Sequence, residues 1–217
     1  MRGTWRREST TGVSEPRVNR HYAVLFLCTG NSARSILAES ILNGLGRGAL
    51  RAFSAGSRPA GRVHPYALEL LAQKGLPTAE LRSKDWGEFA KPGAPAIDLV
   101  LTVCDSAAGE ACPVWPGRPV SAHWSVADPA AAQGSEIQRR RAFADAYGVL
   151  DARIRAFTRL PLDALDPRSL TRTLHTIART HRAPPSPGTA PSPGSRYHDA
   201  TVPECPAHTA QLGRGDG

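Results

Sequence analysis

Residues 23–35 read AVLFLCTGNSARS, an apolar run that breaks at a cysteine into small, turn-forming residues and ends on an arginine and a serine. Ala23 to Cys28 shows no alternation, so the segment reads as a strand buried on both faces, since a strand with one wet face would alternate apolar with polar. Thr29 to Ser32 cannot extend it. From Arg34 onward Ile36, Leu37, Ile41, Leu42 and Leu45 recur at helical spacing, and Gly44 and Gly46 supply a stop. A central strand, a tight turn and a helix form the unit from which parallel sheets are built.

The same alternation continues along the chain. Arg51 to Ala55 reads as a second short strand ended by Gly56, and His64-Pro65 opens a helix that runs through Gln73 and stops at Gly75. A short helix is expected near Lys84 to Phe89. Asp98 to Cys104 reads as the third strand and Val120 to Trp124 as the fourth. Ser135 to Phe157 makes a long closing helix, and Leu160 to Thr180 adds a further helical segment. The pattern predicts an α/β domain whose parallel sheet is covered on both faces. Ligands of such sheets bind beyond the carboxyl ends of the strands, where strand order reverses. Cys28, Cys104 and Asp128 all fall at or just past such ends.

The domain is expected over residues 21–180. Residues 1–20 are polar and basic and read as a flexible extension, and residues 181–217, with APPSPGTAPSPG at 183–194, read as a disordered Pro/Ser/Gly-rich tail. The N-terminus lacks the apolar stretch of a secretory signal and no run approaches the ~20 apolar residues of a membrane span. A cytoplasmic location, a monomer and no membrane partner are expected. The net charge of +8 is spread along the chain, +3 over residues 1–21, +3 over 22–158 and +2 over 159–217. Arg139-Arg140-Arg141 is the one basic run, and a solvated helix face explains it, so no nucleic-acid partner is expected.

The turn after the first strand carries the chemistry. A strand entering a helix through a tight loop points backbone N–H groups inward, and the helix N-terminus adds about half a positive charge, which together make an anion nest. Cys28 stands at the start of that nest and Arg34 six positions later. Amide donors and a guanidinium are expected to lower the Cys28 thiol from its usual ~8.5 and so to keep a nucleophilic thiolate near neutral pH. The planar fork of Arg34 can clamp two oxygens of a tetrahedral anion. Gly30 is expected to take an awkward backbone angle, Asn31 to tether the loop through its amide, and Ser35 to donate to the Cys28 sulfur. Asp128, in a loop beyond the fourth strand, can serve as general acid, although an aspartate before proline is also a common turn cap.

Four cysteines occur, at 28, 104, 112 and 205. Cys104 and Cys112 bracket seven small residues, a spacing that does not fit a zinc knuckle with His123 but suits a redox shuttle, in which a flexible spacer brings thiols together. Two ordinary buried cysteines are the plain alternative. Cys205 lies in the tail.

Taken together, VLFLCTGNSARS, FSAGS, TVCDSAAGEACPVWPG, AHW and ADPA resemble the arsenate reductases built on the low-molecular-weight tyrosine phosphatase fold, over about residues 22–165. The resemblance implies a three-layer, flavodoxin-like fold with a four-stranded parallel sheet and helices on both faces. It implies reduction of arsenate to arsenite, for arsenic detoxification. Cys28 attacks arsenic, and Arg34 with the loop of Thr29, Gly30, Asn31, Ser32, Ala33, Arg34 and Ser35 binds the oxyanion, phosphate being a competing anion. Asp128 protonates the departing hydroxide. In thioredoxin-linked relatives a second thiol attacks the nucleophile and a third collects the disulfide, and Cys104 and Cys112 occupy that block. Other relatives use glutathione or mycothiol with a glutaredoxin-type partner. The chain departs from the pattern in a spacer one residue longer and in Ala33, where some relatives have a second cysteine. Potassium-binding relatives use Asn, Glu, Ser and Asp behind the loop. Asn31, Glu39 and Ser54 match, but the fourth position is Lys84, so a built-in ammonium is expected in place of the ion, with no metal and no bound cofactor.

Two other functions fit parts of the sequence. A tyrosine phosphatase would use the same thiolate and arginine on phosphate monoesters, but Ala130, Ala131 and Ala132 follow Pro129 where such enzymes place aromatics. A non-catalytic oxyanion sensor would have no need of Cys28, Arg34 and Asp128 together.

Overall fold

The computed structural model describes residues 21–45, 48–108 and 115–181. The expected extension at residues 1–20 lies outside them, as do the tail beyond His181, Cys112 and Cys205. In chain order the elements are β1 (Tyr22–Cys28), α1 (Arg34–Leu45), β2 (Leu50–Gly56), α2 (Pro65–Gln73), a 3₁₀ turn (Trp86–Ala90), β3 (Leu99–Thr102), α3 (Asp105–Ala108), β4 (Val120–His123), a 3₁₀ turn (Pro129–Ala131), α4 (Glu136–Phe157), a 3₁₀ turn (Leu162–Ala164) and α5 (Pro167–Thr180).

The four strands form one sheet in the order β2-β1-β3-β4, and every pairing is parallel. Cys28 pairs with Gly56 on one side, while Leu27 pairs with Thr102 on the other. The chain steps outward from β1 to β2, then crosses back to β3. Strand order therefore reverses between β1 and β3, and Cys28 and Cys104 stand on either side of that crevice.

The apolar run of β1 splits by parity. Val24 and Phe26 share a core with Ala52, Leu99, Leu101 and Ala122, under the long helices α1, α2, α4 and α5. Leu25 and Leu27 face the other way, against Val100, Phe89, Ile97 and Trp115, so the second face is closed by the Trp86–Ala90 turn and its flanking loop. Complete burial on both sides is what the unbroken apolar run demands.

α1 is more deeply enclosed than its pattern suggests. Every residue from Ser35 to Leu42 is buried, Ser35 and Glu39 included, because the helix lies between the sheet and α4. Buried polar groups there need partners, and Ser35 and Glu39 have theirs in the site described below. α4 opens on a capping box in which Ser135 accepts from Gln138 N and Gln138 reaches back to Ser135 N, worth ~1 kcal/mol. α5 opens on Asp166, which accepts from the amides of Arg168 and Ser169, and buries Leu170, Leu174 and Ile177. Each such side chain contributes about 1.5–3 kcal/mol on burial.

Beyond shifts of a single residue, the elements differ from expectation at three places, each for a local reason. β3 stops at Thr102, because the carbonyl of Cys104 already accepts from Ala108 N and starts α3. The helix expected near Lys84–Phe89 is a 3₁₀ turn capped by Asp85. The segment after Leu160 becomes α-helical only at Pro167, a residue suited to the first helical position. Among the described residues no helix is long and apolar enough to cross a membrane.

Candidate active site

The loop between β1 and α1 is held from outside. Ser57 N, Arg58 N, Ala60 N and His64 N donate to the carbonyls of Cys28, Thr29, Gly30 and Ser32 at 3.3, 3.0, 2.8 and 2.9 Å. Those carbonyls are thereby satisfied from outside the loop, which leaves its amides free of them as an anion nest requires. The amide of Asn31 donates to Cys28 Sγ at 3.2 Å.

Asn31, not Gly30, takes the awkward backbone angle. Its φ is 41°, in the left-handed region that asparagine tolerates, whereas Gly30 has no positive φ and a Cβ there would meet only Ser32 Oγ at 3.6 Å. The glycine that the loop requires is Gly56, at the end of β2. A Cβ on it would run into the carbonyl oxygen of Thr29 and lie 3.0 Å from Asn31 N.

Behind the loop a chain of hydrogen bonds starts at Asn31. Its Nδ2 donates to Ser35 Oγ and to Ser54 Oγ, both at 2.9 Å, while its Oδ1 accepts from Lys84 N at 2.8 Å. Ser54 donates to Glu39 Oε2 at 2.5 Å, and Ser35 Oγ lies within hydrogen-bonding distance of Cys28 Sγ, at 2.9 Å. Lys84 Nζ stands 3.4 Å from Glu39 Oε2, 3.5 Å from Ser54 Oγ and 3.3 Å from the carbonyl of Arg82. Both members of the Lys84–Glu39 pair are buried. Burial pushes the Glu39 carboxyl upward, with Lys84 and Ser54 opposing.

Cys28 is buried as well, and that burial works against the expected thiolate. Burial raises its thiol above the ordinary value, against the opposing effects of the Ser35 hydrogen bonds and of Arg34, while the neighbouring Cys104 adds to the rise. The surroundings of the Cys28 sulfur are nonetheless polar: a hydroxyl, an amide and a guanidinium stand around it.

At the front, Arg34 donates from one terminal nitrogen to Val126 O at 3.2 Å and from the other to Asp128 Oδ2 at 2.7 Å. Asp128 also caps the Pro129–Ala131 turn, its Oδ1 accepting from Ala130 N at 3.1 Å, as the turn-cap reading expects. Beside that turn opens a cavity of about 430 Å³ lined by His64, Tyr66, Gln133, Arg139 and Phe143. Its rings come from α2 and α4, which a search confined to residues following Pro129 could not find.

Cys104 lies on the β3 side of the crevice. Its Sγ is 3.6 Å from Thr29 Oγ1 and accepts from Ala107 N at 3.4 Å, and both Cys28 and Cys104 are free thiols. The sequence reading overlooked a polar group around α3. His123 Nδ1 lies 2.8 Å from Thr102 Oγ1 and its Nε2 2.9 Å from Asp105 Oδ1, which ties α3 to the end of β4. Hydrogen bonds from Ser125 and His123 hold the Asp105 carboxyl below its usual range. Thus Cys28, Thr29, Asn31, Arg34, Ser35, Asp128 and Cys104 converge on one rim, while Cys112 falls outside the described residues.

A parallel sheet with a thiol and an arginine around an oxyanion-shaped loop at its reversal point defines a protein of the cysteine-nucleophile, anion-binding class. The chain belongs to the low molecular weight phosphotyrosine protein phosphatase family, whose model matches residues 23–168. It is 33% identical over 138 residues to an arsenate reductase of Halalkalibacterium halodurans, covering 62% of this chain and 93% of the relative. It is 37% identical over 122 residues to arsenate reductase 2 of Staphylococcus saprophyticus, covering 54% and 86% respectively. Among solved structures, one described as an arsenate reductase in oxidized state superposes with a TM-score of 0.52 at 24% identity, over 63% of this chain and 95% of that one, a likeness of fold.

Proposed function

We propose that this protein reduces arsenate to arsenite through a covalent adduct on Cys28. The observation that supports the reading best is the second free thiol, Cys104, at the lip of the oxyanion loop. Hydrolysis of a phosphate monoester would use Cys28, Arg34 and Asp128 and leave Cys104 idle. The relatives' names point the same way.

A thiol whose proton burial favours fits this chemistry. Arsenate arriving as a dianion can take the Cys28 proton, which leaves a thiolate and a monoanion with the total charge unchanged. Arg34 and the loop amides from Thr29 to Ser35 then hold the oxygens. Asp128 takes up a proton from solvent as the bound anion displaces it from Arg34; Cys28 Sγ then forms a bond to arsenic as an As–O bond breaks, and hydroxide leaves with that proton as water. Cys104 Sγ attacks Cys28 Sγ, and the Cys104 proton passes to an oxygen of the departing arsenic. A Cys28–Cys104 disulfide forms, and the electron pair of the S–As bond stays with arsenic, which departs as arsenite. Two thiols have been oxidised and As(V) reduced to As(III), so the electrons balance. Cys112 then attacks Cys104 and frees Cys28, and an external dithiol of the thioredoxin type, or glutathione or mycothiol with a glutaredoxin, reduces the remaining disulfide. Lys84 takes the place a bound cation would hold behind the loop, and the protein acts without a metal, as a monomer in the cytoplasm.

The test is arsenate turnover by the wild type and by Cys28→Ser, Cys104→Ser and Cys112→Ser, each supplied with thioredoxin or with glutathione and glutaredoxin. Cys28→Ser is expected to be inactive with both. Cys104→Ser is expected to lose thioredoxin-supported turnover, and full retention by Cys104→Ser and Cys112→Ser overturns the internal relay. Wild-type hydrolysis of aryl phosphate without arsenate turnover overturns the reductase reading itself.

A further inference from the structure

Arg153, on the inner face of α4, is a cation 3% exposed. Among the described residues no carboxylate pairs with it. It is held instead by three carbonyls: Nε donates to His181 O and one terminal nitrogen to Ala178 O, while the other donates to Ser125 O, all at 3.0 Å. Burial pushes this guanidinium down to about 10, which leaves it charged at neutral pH.

Two of those carbonyls belong to the end of α5, where a helix leaves its last C=O groups without partners. The third belongs to the loop between β4 and Asp128. That loop is pinned on both edges. On the amide side Trp124 N donates to Thr102 O at 2.7 Å and Val126 N to Val103 O at 3.2 Å. On the carbonyl side Arg153 takes Ser125 O and Arg34 takes the next carbonyl, Val126 O. α5 touches the same stretch again through Trp124, whose indole Nε1 donates to Leu174 O at 3.0 Å. The family match ends at Arg168, one residue past the start of α5, so nearly all of this helix lies beyond it.

We propose that α5 is a positioning element for the acid loop, and that Arg153 is the residue through which it fixes Ser125 and thereby the placement of Asp128. The proposal rests on Asp128 acting as general acid in the reaction above. Arg153 touches neither substrate nor reacting atoms. Its effect is to couple the last turn of a peripheral helix to a loop that must hold a carboxyl group within hydrogen-bonding reach of the leaving oxygen.

A double-mutant cycle on arsenate reduction, with dithiothreitol in excess, tests this in the full chain. The four proteins are the wild type, Arg153→Met, Asp128→Asn and the double variant, each with its thermal midpoint recorded. Arg153→Met is expected to lower kcat ~10–100-fold, the size of effect a displaced catalytic group produces, with KM for arsenate within about threefold. In the Asp128→Asn background the same change should cost less than about threefold, because the group being positioned is already gone. Ile177→Ala, which loosens α5 at its apolar face, and Arg153→Lys should repeat the pattern in weaker form, and they carry the cycle if Arg153→Met does not fold. An equal loss of kcat in both backgrounds, or no loss in the wild-type background, overturns the role of Arg153 and leaves that of Asp128 standing. If Asp128→Asn alone keeps full kcat, the acid assignment falls and the positioning role falls with it.

Discussion

Arg34 and Asp128 hold each other at 2.7 Å across the mouth of the loop, so the guanidinium that would grip a tetrahedral anion is already engaged by a carboxylate. The second terminal nitrogen is on Val126 O. An incoming anion therefore competes with Asp128 for the fork of Arg34, and the two negative groups end up close together.

Removing that charge should tighten anion binding while slowing chemistry. In Asp128→Asn the dissociation constant for phosphate, measured by calorimetry, is expected to fall several-fold. Arsenate kcat is expected to fall ~100-fold or more, the usual share of a general acid. Weaker phosphate binding in this variant would show that Asp128 orders Arg34 for the anion instead of competing with it.

The raised Cys28 thiol predicts slow alkylation. Iodoacetamide should modify Cys28 more slowly at neutral pH than an exposed cysteine, and the rate should go on climbing through and above the ordinary thiol range, because burial holds the proton on. Ser35→Ala removes a donor to the sulfur and should slow the reaction further. The same shift predicts that the Cys28 contribution to stability is present below the unfolded thiol's pKa and is lost as pH rises through the higher folded value. A Cys28 that alkylates fast at neutral pH would mean the thiolate is already formed.

Lys84→Met leaves Glu39 in the interior without its cation. Breaking a buried pair on one side costs about 3–5 kcal/mol, and the Lys84 and Glu39 side chains are only 6% and 11% exposed. With Lys84 gone the Glu39 carboxyl rises further. The variant should then be most stable in acid and lose stability as pH increases through the folded carboxyl's pKa, with Glu39→Gln added in the same chain restoring much of the loss. Replacing sodium by potassium at fixed ionic strength should not change wild-type turnover. A potassium-dependent increase in the wild type would contradict the role given to the ammonium.

Gly56→Ala tests the close approach of β2 to the loop. The added methyl meets the carbonyl oxygen of Thr29 and the backbone of Asn31, which cannot swing away as a flexible side chain could. Overpacking of this kind costs about 1–3 kcal/mol. The loss of phosphate affinity should exceed that of Gly30→Ala, whose methyl makes only an ordinary contact with Ser32 Oγ at 3.6 Å. Equal behaviour of the two variants would argue that the loop adapts freely.

The sequence was most informative where one local pattern had one physical meaning. The unbroken apolar run from Ala23 to Cys28 could be buried only on both faces, and the small residues up to Arg34 could only turn, so the strand, loop and helix were legible together. The partners of that loop were not. Gly56, Ser57, Arg58 and His64 hold it in place from a different segment, and nothing in their own neighbourhood announces that role. Asn31 and Gly30 are adjacent, and a prior favouring glycine assigned the left-handed angle to the wrong one. The amides and guanidinium around Cys28 could be inferred from spacing, whereas its depth of burial depends on helices that arrive later in the chain. Arg153 gave no signal either, since an arginine within a long helix ordinarily faces water.

Because the carbonyls of Cys28, Thr29, Gly30 and Ser32 are already engaged by residues 57–64, the cradle is finished before any guest arrives. A finished cradle welcomes every tetrahedral oxyanion of similar size, and phosphate outnumbers arsenate in almost any cell. Selectivity must therefore be exercised after capture, by which central atom accepts the sulfur and parts with an oxygen. The speed of detoxification would then follow the ratio of the two anions more closely than the amount of either one.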